Sequence, residues 1–247
     1  MIEPTLRPPP HKGAYIFPNL LTAGNLFAGF YAIVTAMNLH FERAAVAIII
    51  AAFMDGLDGK IARMTGTSSR FGVEFDSLAD LVSFGVAPAL LVYIFELKPF
   101  ARIGWVAAFL FVVCGALRLA RFNTQVETAD KRYFQGLPSP AAAAILAGFI
   151  WICLEYGYDI EVFKYFALVL TISTGLLMVS NFRYSSFKEI DLKGKVPFVM
   201  AIAVMLGIAF VMAQPQIMLF LLFLAYAISG PEVTLVMRKR RWLGRKS

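Results

Sequence analysis

The sequence predicts an all-α integral membrane protein, a bundle of about eight transmembrane helices with both termini in the cytoplasm. Three observations predict it. Hydrophobic residues fill 59% of the 247 positions and charged residues only 16%, well below the roughly 25% charged share of a soluble domain; mean hydropathy is +0.70. Apolar stretches of about 20 residues, the length that crosses a hydrocarbon core about 30 Å thick, recur between short polar breaks. With eight crossings, 19 of the 23 Lys and Arg residues fall on the side of the termini, as short cytoplasmic loops require.

The elements follow in order. Residues 1–13, with Pro8, Pro9 and Pro10 in a row, form an extended lead-in without the arrangement of a signal peptide. The expected spans are residues 15–37, 44–62, 73–95, 103–121, 138–154, 162–180, 196–213 and 216–236. Breaks on the far side hold only Arg43, Lys98, Arg102 and Lys164, whereas the cytoplasmic breaks collect groups such as Lys60, Arg63 and Arg70. Gln214, Pro215 and Gln216 alone divide the last two spans. Residues 14–237 read as one membrane domain: no repeat of 20 to 50 residues appears, and the longest polar break, 123–136, is too short to bury a core. Residues 238–247 form a basic tail suited to anionic head groups. The net charge of +7 is thus a topology signal and requires no nucleic acid partner. Cys114 and Cys153 fall inside spans, as small hydrophobes. His11 and His40 are isolated and read as solvated. Trp105, Tyr156 and Tyr158 sit near expected interfaces, and Ala144 with Gly148 has the spacing of a close helix contact compatible with dimerisation.

The chemistry concentrates where spans two and three meet the cytoplasm. Asp55 and Asp58 are one turn apart near the end of span two, and Asp76 and Asp80 near the start of span three. The loop from 64 to 71 is short enough to make the helices antiparallel neighbours, so four carboxylates converge on one pocket. One Arg63 cannot neutralise them; divalent cations, through hard oxygen ligands, can. Salt bridges with Lys60, Arg63 and Arg70, or simple helix capping, are the bland alternative. Ion-coupled transport is another, but it predicts acids through the midplane and repeats. Gly59, Ala62 and Gly72 border the acidic face with residues lacking bulk. Carboxylates, cations, one arginine and bare backbone together suit a diphosphate.

The pattern D-x-x-D-G-x-x-A-R, eight residues, G-x-x-x-D-x-x-x-D resembles, without a gap, the signature of the CDP-alcohol phosphotransferases. Intramembrane prenyltransferases also use aspartates and diphosphates, but with motifs far apart. The resemblance implies that Asp55, Asp58 and Asp76 hold Mg2+ or Mn2+, two ions being expected, and that Asp80 both faces the metals and is the general base. It places Gly59, Ala62, Arg63 and Gly72 on the CDP-lipid side. Residues 18–22 resemble the family's entry to its first span, so Thr22 and Asn25 are candidate nucleotide contacts. A homodimer and a cell (inner) membrane location with a cytoplasmic active site are also implied.

The signature leaves the acceptor alcohol open. Residues 83–88, 116–123, 134–140 and 180–188 resemble the phosphatidylserine synthase branch, which implies transfer of a phosphatidyl group from CDP-diacylglycerol to L-serine. A serine pocket needs a cation for the carboxylate and a path from hydroxyl to Asp80. Arg118, Arg121, Asn123, Ser139 and Arg183 are the acceptor candidates, with Gln135 nearby; anchoring of helix ends is the alternative for the arginines. Another acceptor alcohol, or an ether-lipid donor, would use the same chemistry.

Overall fold

The computed structural model describes residues 16–65, 69–125, 133–157, 160–185, 205 and 213–243. Among them seven long helices form the bundle: α1 (Ile16–Met37), α2 (Phe41–Thr65), α3 (Arg70–Phe100), α4 (Arg102–Gln125), α5 (Ser139–Tyr156), α6 (Ile160–Val179) and α7 (Pro215–Leu243). Five of them, α1, α3, α4, α5 and α7, are long and apolar enough to cross a membrane, and Phe163–Val179 of α6 is a shorter apolar helix. α2 is interrupted by charge, with Glu42 and Arg43 at its start and Asp55, Asp58 and Lys60 toward its end. The expected seventh span, 196–213, apart from Met205 and Ala213, the lead-in, the loop at 66–68 and the end of the basic tail lie outside the described residues.

α3 is the least regular helix. Its first segment, Arg70–Asp80, passes into a π-helical turn at Leu81–Val86. The cause is Pro88, which has no N–H to continue an α-helical ladder; just before it, the Ala87 amide reaches back five residues to the Val82 carbonyl. One wide turn thereby follows directly after Asp80. Ser83, inside it, donates to the Asn25 carbonyl at 2.9 Å, and a Cβ at Gly29 would overlap Ser83. α1 and α3 are therefore held in backbone contact at the level of the aspartates.

α5 is the central helix, with every residue from Ala141 to Ile150 buried. Its alanines let α2, α3 and α7 pack closely, the way helices associate where lipid removes the hydrophobic drive. Gly148, read above as a possible dimer contact, packs on Phe220 of α7 within the same chain, with Ala144 buried on the same helix. The small-residue pair thus serves an intrachain interface.

The fold is not purely helical. Residues Tyr133–Gln135 (β1) and Arg183–Ser185 (β2) pair antiparallel, with Phe134 opposite Tyr184. Both segments leave helices at one end of the bundle, where their backbone groups find partners in each other. Tyr156 donates to Gln214 at 2.9 Å, whereas the Arg183 amide donates to Thr234 at 3.0 Å. The start of α7 and strand β2 therefore lie at opposite ends of the bundle.

Candidate active site

The end of the bundle that carries β1 and β2 also carries the aspartates. One carboxylate oxygen from each of Asp55, Asp76 and Asp80 lies within 4.8 Å of the other two. Asp55 comes from α2, Asp76 and Asp80 from successive turns of α3. Ser69 starts α3 by accepting from the Gly72 amide at 3.0 Å, which ends the loop cleanly and sets the register of both α3 aspartates.

Asp58 is outside that triad. It is buried, and one of its oxygens accepts from the Thr22 hydroxyl at 3.0 Å. Its other oxygen, like Oδ1 of Asp76, is buried without a hydrogen-bond partner among the described residues. Asn25, wholly buried, donates to Asp80 at 3.0 Å. Thr22 and Asn25, expected at the nucleotide, thus lean on the carboxylates: α1 holds one aspartate of each pair. All the ligand atoms gathered here are carboxylate oxygens, and two are orphaned and buried. A hard divalent cation, which takes six or more oxygens, fits this donor set; a group of thiolates or imidazoles it is not.

Among the acceptor candidates, Arg118 and Ser139 come together. Nη1 of Arg118 donates to Ser139 Oγ at 2.8 Å, and the guanidinium lies within electrostatic reach of Asp80 and Asp55. Its Nε is buried with no hydrogen-bond partner among the described residues. The other candidates are engaged in the scaffold. Arg121 donates to the carbonyls of Val179 and Ser180 and to Asn181 at 3.3 to 3.5 Å, closing the C-terminus of α6, where orphaned carbonyls attract a cation. Asn123 donates to Ser77 at 3.0 Å, tying α4 to α3. Arg183 stands opposite Gln135 in the β-ribbon and its amide donates to Thr234, and Gln135 is exposed on β1. Gly72 approaches Asn19 of α1. The side chains of Ala62 and Arg63 lie outside the described residues.

One partner escaped the sequence reading. Ser77 joins Asn123; it sits one residue after Asp76 and was masked by it.

Comparison with known proteins agrees with this geometry. The family model described as CDP-alcohol phosphatidyltransferase matches residues 15–230. A protein of Helicobacter pylori named CDP-diacylglycerol–serine O-phosphatidyltransferase is 39% identical over 224 residues, covering 89% of this chain and 92% of its own length. Proteins bearing the same name are 33% identical over 234 residues in Mycobacterium leprae, covering 92% of this chain and 76% of theirs, and 40% identical over 184 residues in Methanocaldococcus jannaschii, covering 74% and 80%. The acidic triad, its two supporting helices and a match across nearly the whole bundle have one explanation: this chain is a membrane enzyme of the CDP-alcohol phosphatidyltransferase family.

Proposed function

We propose that the chain transfers a phosphatidyl group from CDP-diacylglycerol to L-serine and releases CMP. The single observation that carries the acceptor is Arg118. A cation next to the catalytic carboxylates is unnecessary for a neutral alcohol, but it suits an acceptor that bears a carboxylate of its own. Ser139 fixes one nitrogen of the guanidinium and leaves Nε and Nη2 as a fork for a bidentate pair. The names of the relatives, which specify serine, support the same choice.

Asp55, Asp58, Asp76 and Asp80 would hold Mg2+ or Mn2+, with Asp58 completing the set through its unpartnered oxygen. Bound there, such ions neutralise the diphosphate and the charge that grows on the leaving CMP. The remaining work belongs to the chain. Arg118 orients serine by its carboxylate, and Asp80, whose plane Asn25 sets, takes the hydroxyl proton. The serine oxygen forms a bond to the lipid-linked phosphorus. The bond from that phosphorus to the CMP oxygen breaks, and CMP leaves with the electron pair. Gly59, Ala62 and Gly72 border the donor, where the absence of bulk lets a nucleotide approach the backbone, and Arg63 offers charge-assisted hydrogen bonds to its phosphates.

The same reading includes eight spans with both termini cytoplasmic. Strand β2 and the start of α7 lie at opposite ends of the bundle, which supports one further crossing by the expected span 196–213. Residues 14–237 act as the membrane domain between the lead-in 1–13 and the tail 238–247, the site faces the cytoplasm in the cell (inner) membrane, and the working unit is a homodimer.

The test is CMP release by purified chain in detergent with CDP-diacylglycerol, comparing L-serine with glycerol 3-phosphate, inositol phosphate and choline. Serine-dependent release that a chelator stops is expected. Release with another alcohol alone overturns the acceptor; release only with an ether-lipid donor overturns the lipid.

A further inference from the structure

Ser139, the first residue of α5, holds one nitrogen of the Arg118 guanidinium, and what holds Ser139 is the end of α6. Only Gly136, Leu137 and Pro138 separate β1 from α5, the first two of them buried. The Gly136 amide donates to the Phe182 carbonyl at 2.9 Å, and the Leu137 amide to the Leu177 carbonyl at 3.0 Å. Leu177 lies in the last turn of α6, where carbonyls must find donors outside their own helix. The β1–β2 ribbon brings these partners together, for Gly136 follows β1 and Phe182 precedes β2. Arg121 uses the same helix end, through the carbonyls of Val179 and Ser180, and it stands one turn from Arg118 on α4. The contacts close a ring: from Arg121 to the end of α6, along the backbone of 136–138 to Ser139, and from Ser139 back to Arg118.

Gly136 is what lets this segment come so close to α6. Its φ is +78°, a left-handed conformation that a residue with a Cβ enters only at a cost. A Cβ there would also overlap the Met178 carbonyl, which is backbone and cannot turn aside as a side chain could. Another residue at 136 would have to lift 136–138 off α6, and Ser139, three residues on and buried, would move with them. We propose that Gly136 is a positioning residue for Arg118, acting through Ser139, so that the end of α6 is the reference against which the acceptor's fork is set. This rests on the reading of Arg118 as the acceptor's site. It gives the short connection between β1 and α5 control over how well the acceptor is held.

The experiment uses the full chain in detergent and the CMP-release assay with CDP-diacylglycerol and L-serine, varying acceptor at saturating donor and then donor at saturating acceptor. Ser139→Ala frees the guanidinium and is expected to raise the acceptor KM about 3- to 10-fold, the worth of one polar contact, with the donor KM unchanged. Gly136→Ala should raise the acceptor KM likewise and lower Tm by about 4 °C, alanine being strained in the left-handed region. The two substitutions together decide the route. In the Ser139→Ala background, Gly136→Ala should still lower Tm but change the acceptor KM by less than about 2-fold, because the hydroxyl through which it acts is gone. Two full effects that multiply on the acceptor KM overturn the route through Ser139. So does an acceptor KM unmoved by Ser139→Ala, a result that needs no stable Gly136 variant. A Gly136→Ala chain whose acceptor KM stays at the wild-type value, or whose donor KM rises with it, overturns the positioning role. Should Arg118→Lys move the donor KM and not the acceptor's, the acceptor reading of Arg118 falls by itself, and the same pair of substitutions read on the donor KM decides the role of Gly136.

Discussion

At the scale of single residues, the site depends on pairs in which one side chain fixes another. Asp80 has Asn25, Asp58 has Thr22, and Arg118 has Ser139. Asp80→Asn keeps the shape and removes the proposed base, so turnover should fall by about 10²- to 10⁴-fold while chelator-sensitive binding of CDP-diacylglycerol persists; normal turnover would exclude Asp80 as base. Asp58→Asn should weaken donor binding as well. Arg118→Lys retains the charge but not the fork, and should raise the serine KM by about 10-fold or more with little change in the donor KM. Tyr184, buried in β2 with its hydroxyl donating to the Ala227 carbonyl at 3.0 Å, adds a pH signature. Burial, helped by nearby Tyr226, pushes its phenol up to about 12, against about 10 in an unfolded chain. Its contribution is therefore whole below pH 10 and is lost as pH rises toward 12. In a thermal scan, the Tm difference between wild type and Tyr184→Phe should shrink across that window. Asp58, read as a fourth member, stands outside the triad of Asp55, Asp76 and Asp80, whose convergence was legible in the sequence because each lies within about three turns of the short break between their helices. Arg118 and Arg121 were not separable there: they share a helix and a charge, and only the tertiary fold directs one to the carboxylates and the other to the end of α6.

At the scale of elements, α3 matters most. The sequence marks Pro88 but not the wide turn it induces, since the residue that absorbs the mismatch depends on what packs alongside. Here that is α1, through Ser83 and Asn25. Gly29→Val would place a side chain where Ser83 stands and push α1 away, taking Thr22 and Asn25 from their carboxylates. Turnover should drop by about 10-fold or more, and Tm should fall, since overpacking costs about 1–3 kcal/mol; wild-type values for both would show that the helices are not held at that point. Likewise, the helix spans were readable from hydropathy, whereas the β1–β2 ribbon was not: six residues without alternating pattern pair because two helices end beside each other.

At the scale of the whole molecule, Arg43, Lys98, Arg102 and Lys164 all belong to the end opposite the aspartates, and the proposed cytoplasmic site rests on that distribution. Both native cysteines are buried, which leaves a quiet background for labelling. An impermeant maleimide on intact cells should modify Glu155→Cys, exposed at the far end of α5, and should reach Thr124→Cys, exposed at the end of α4, only after permeabilisation. The reverse pattern would invert the orientation. Tyr184 donates to the carbonyl of Ala227, inside α7, whose usual donor four residues on is replaced by Pro231, and this pairing has a further consequence, for the history of the chain. With Tyr184 already present, a proline at position 231 is tolerated; once the proline is in place, Tyr184 can no longer be exchanged freely. The order of the two changes is therefore constrained, and a substitution harmless in a relative that lacks the proline becomes damaging here, so tolerance at one position must be judged together with its partner.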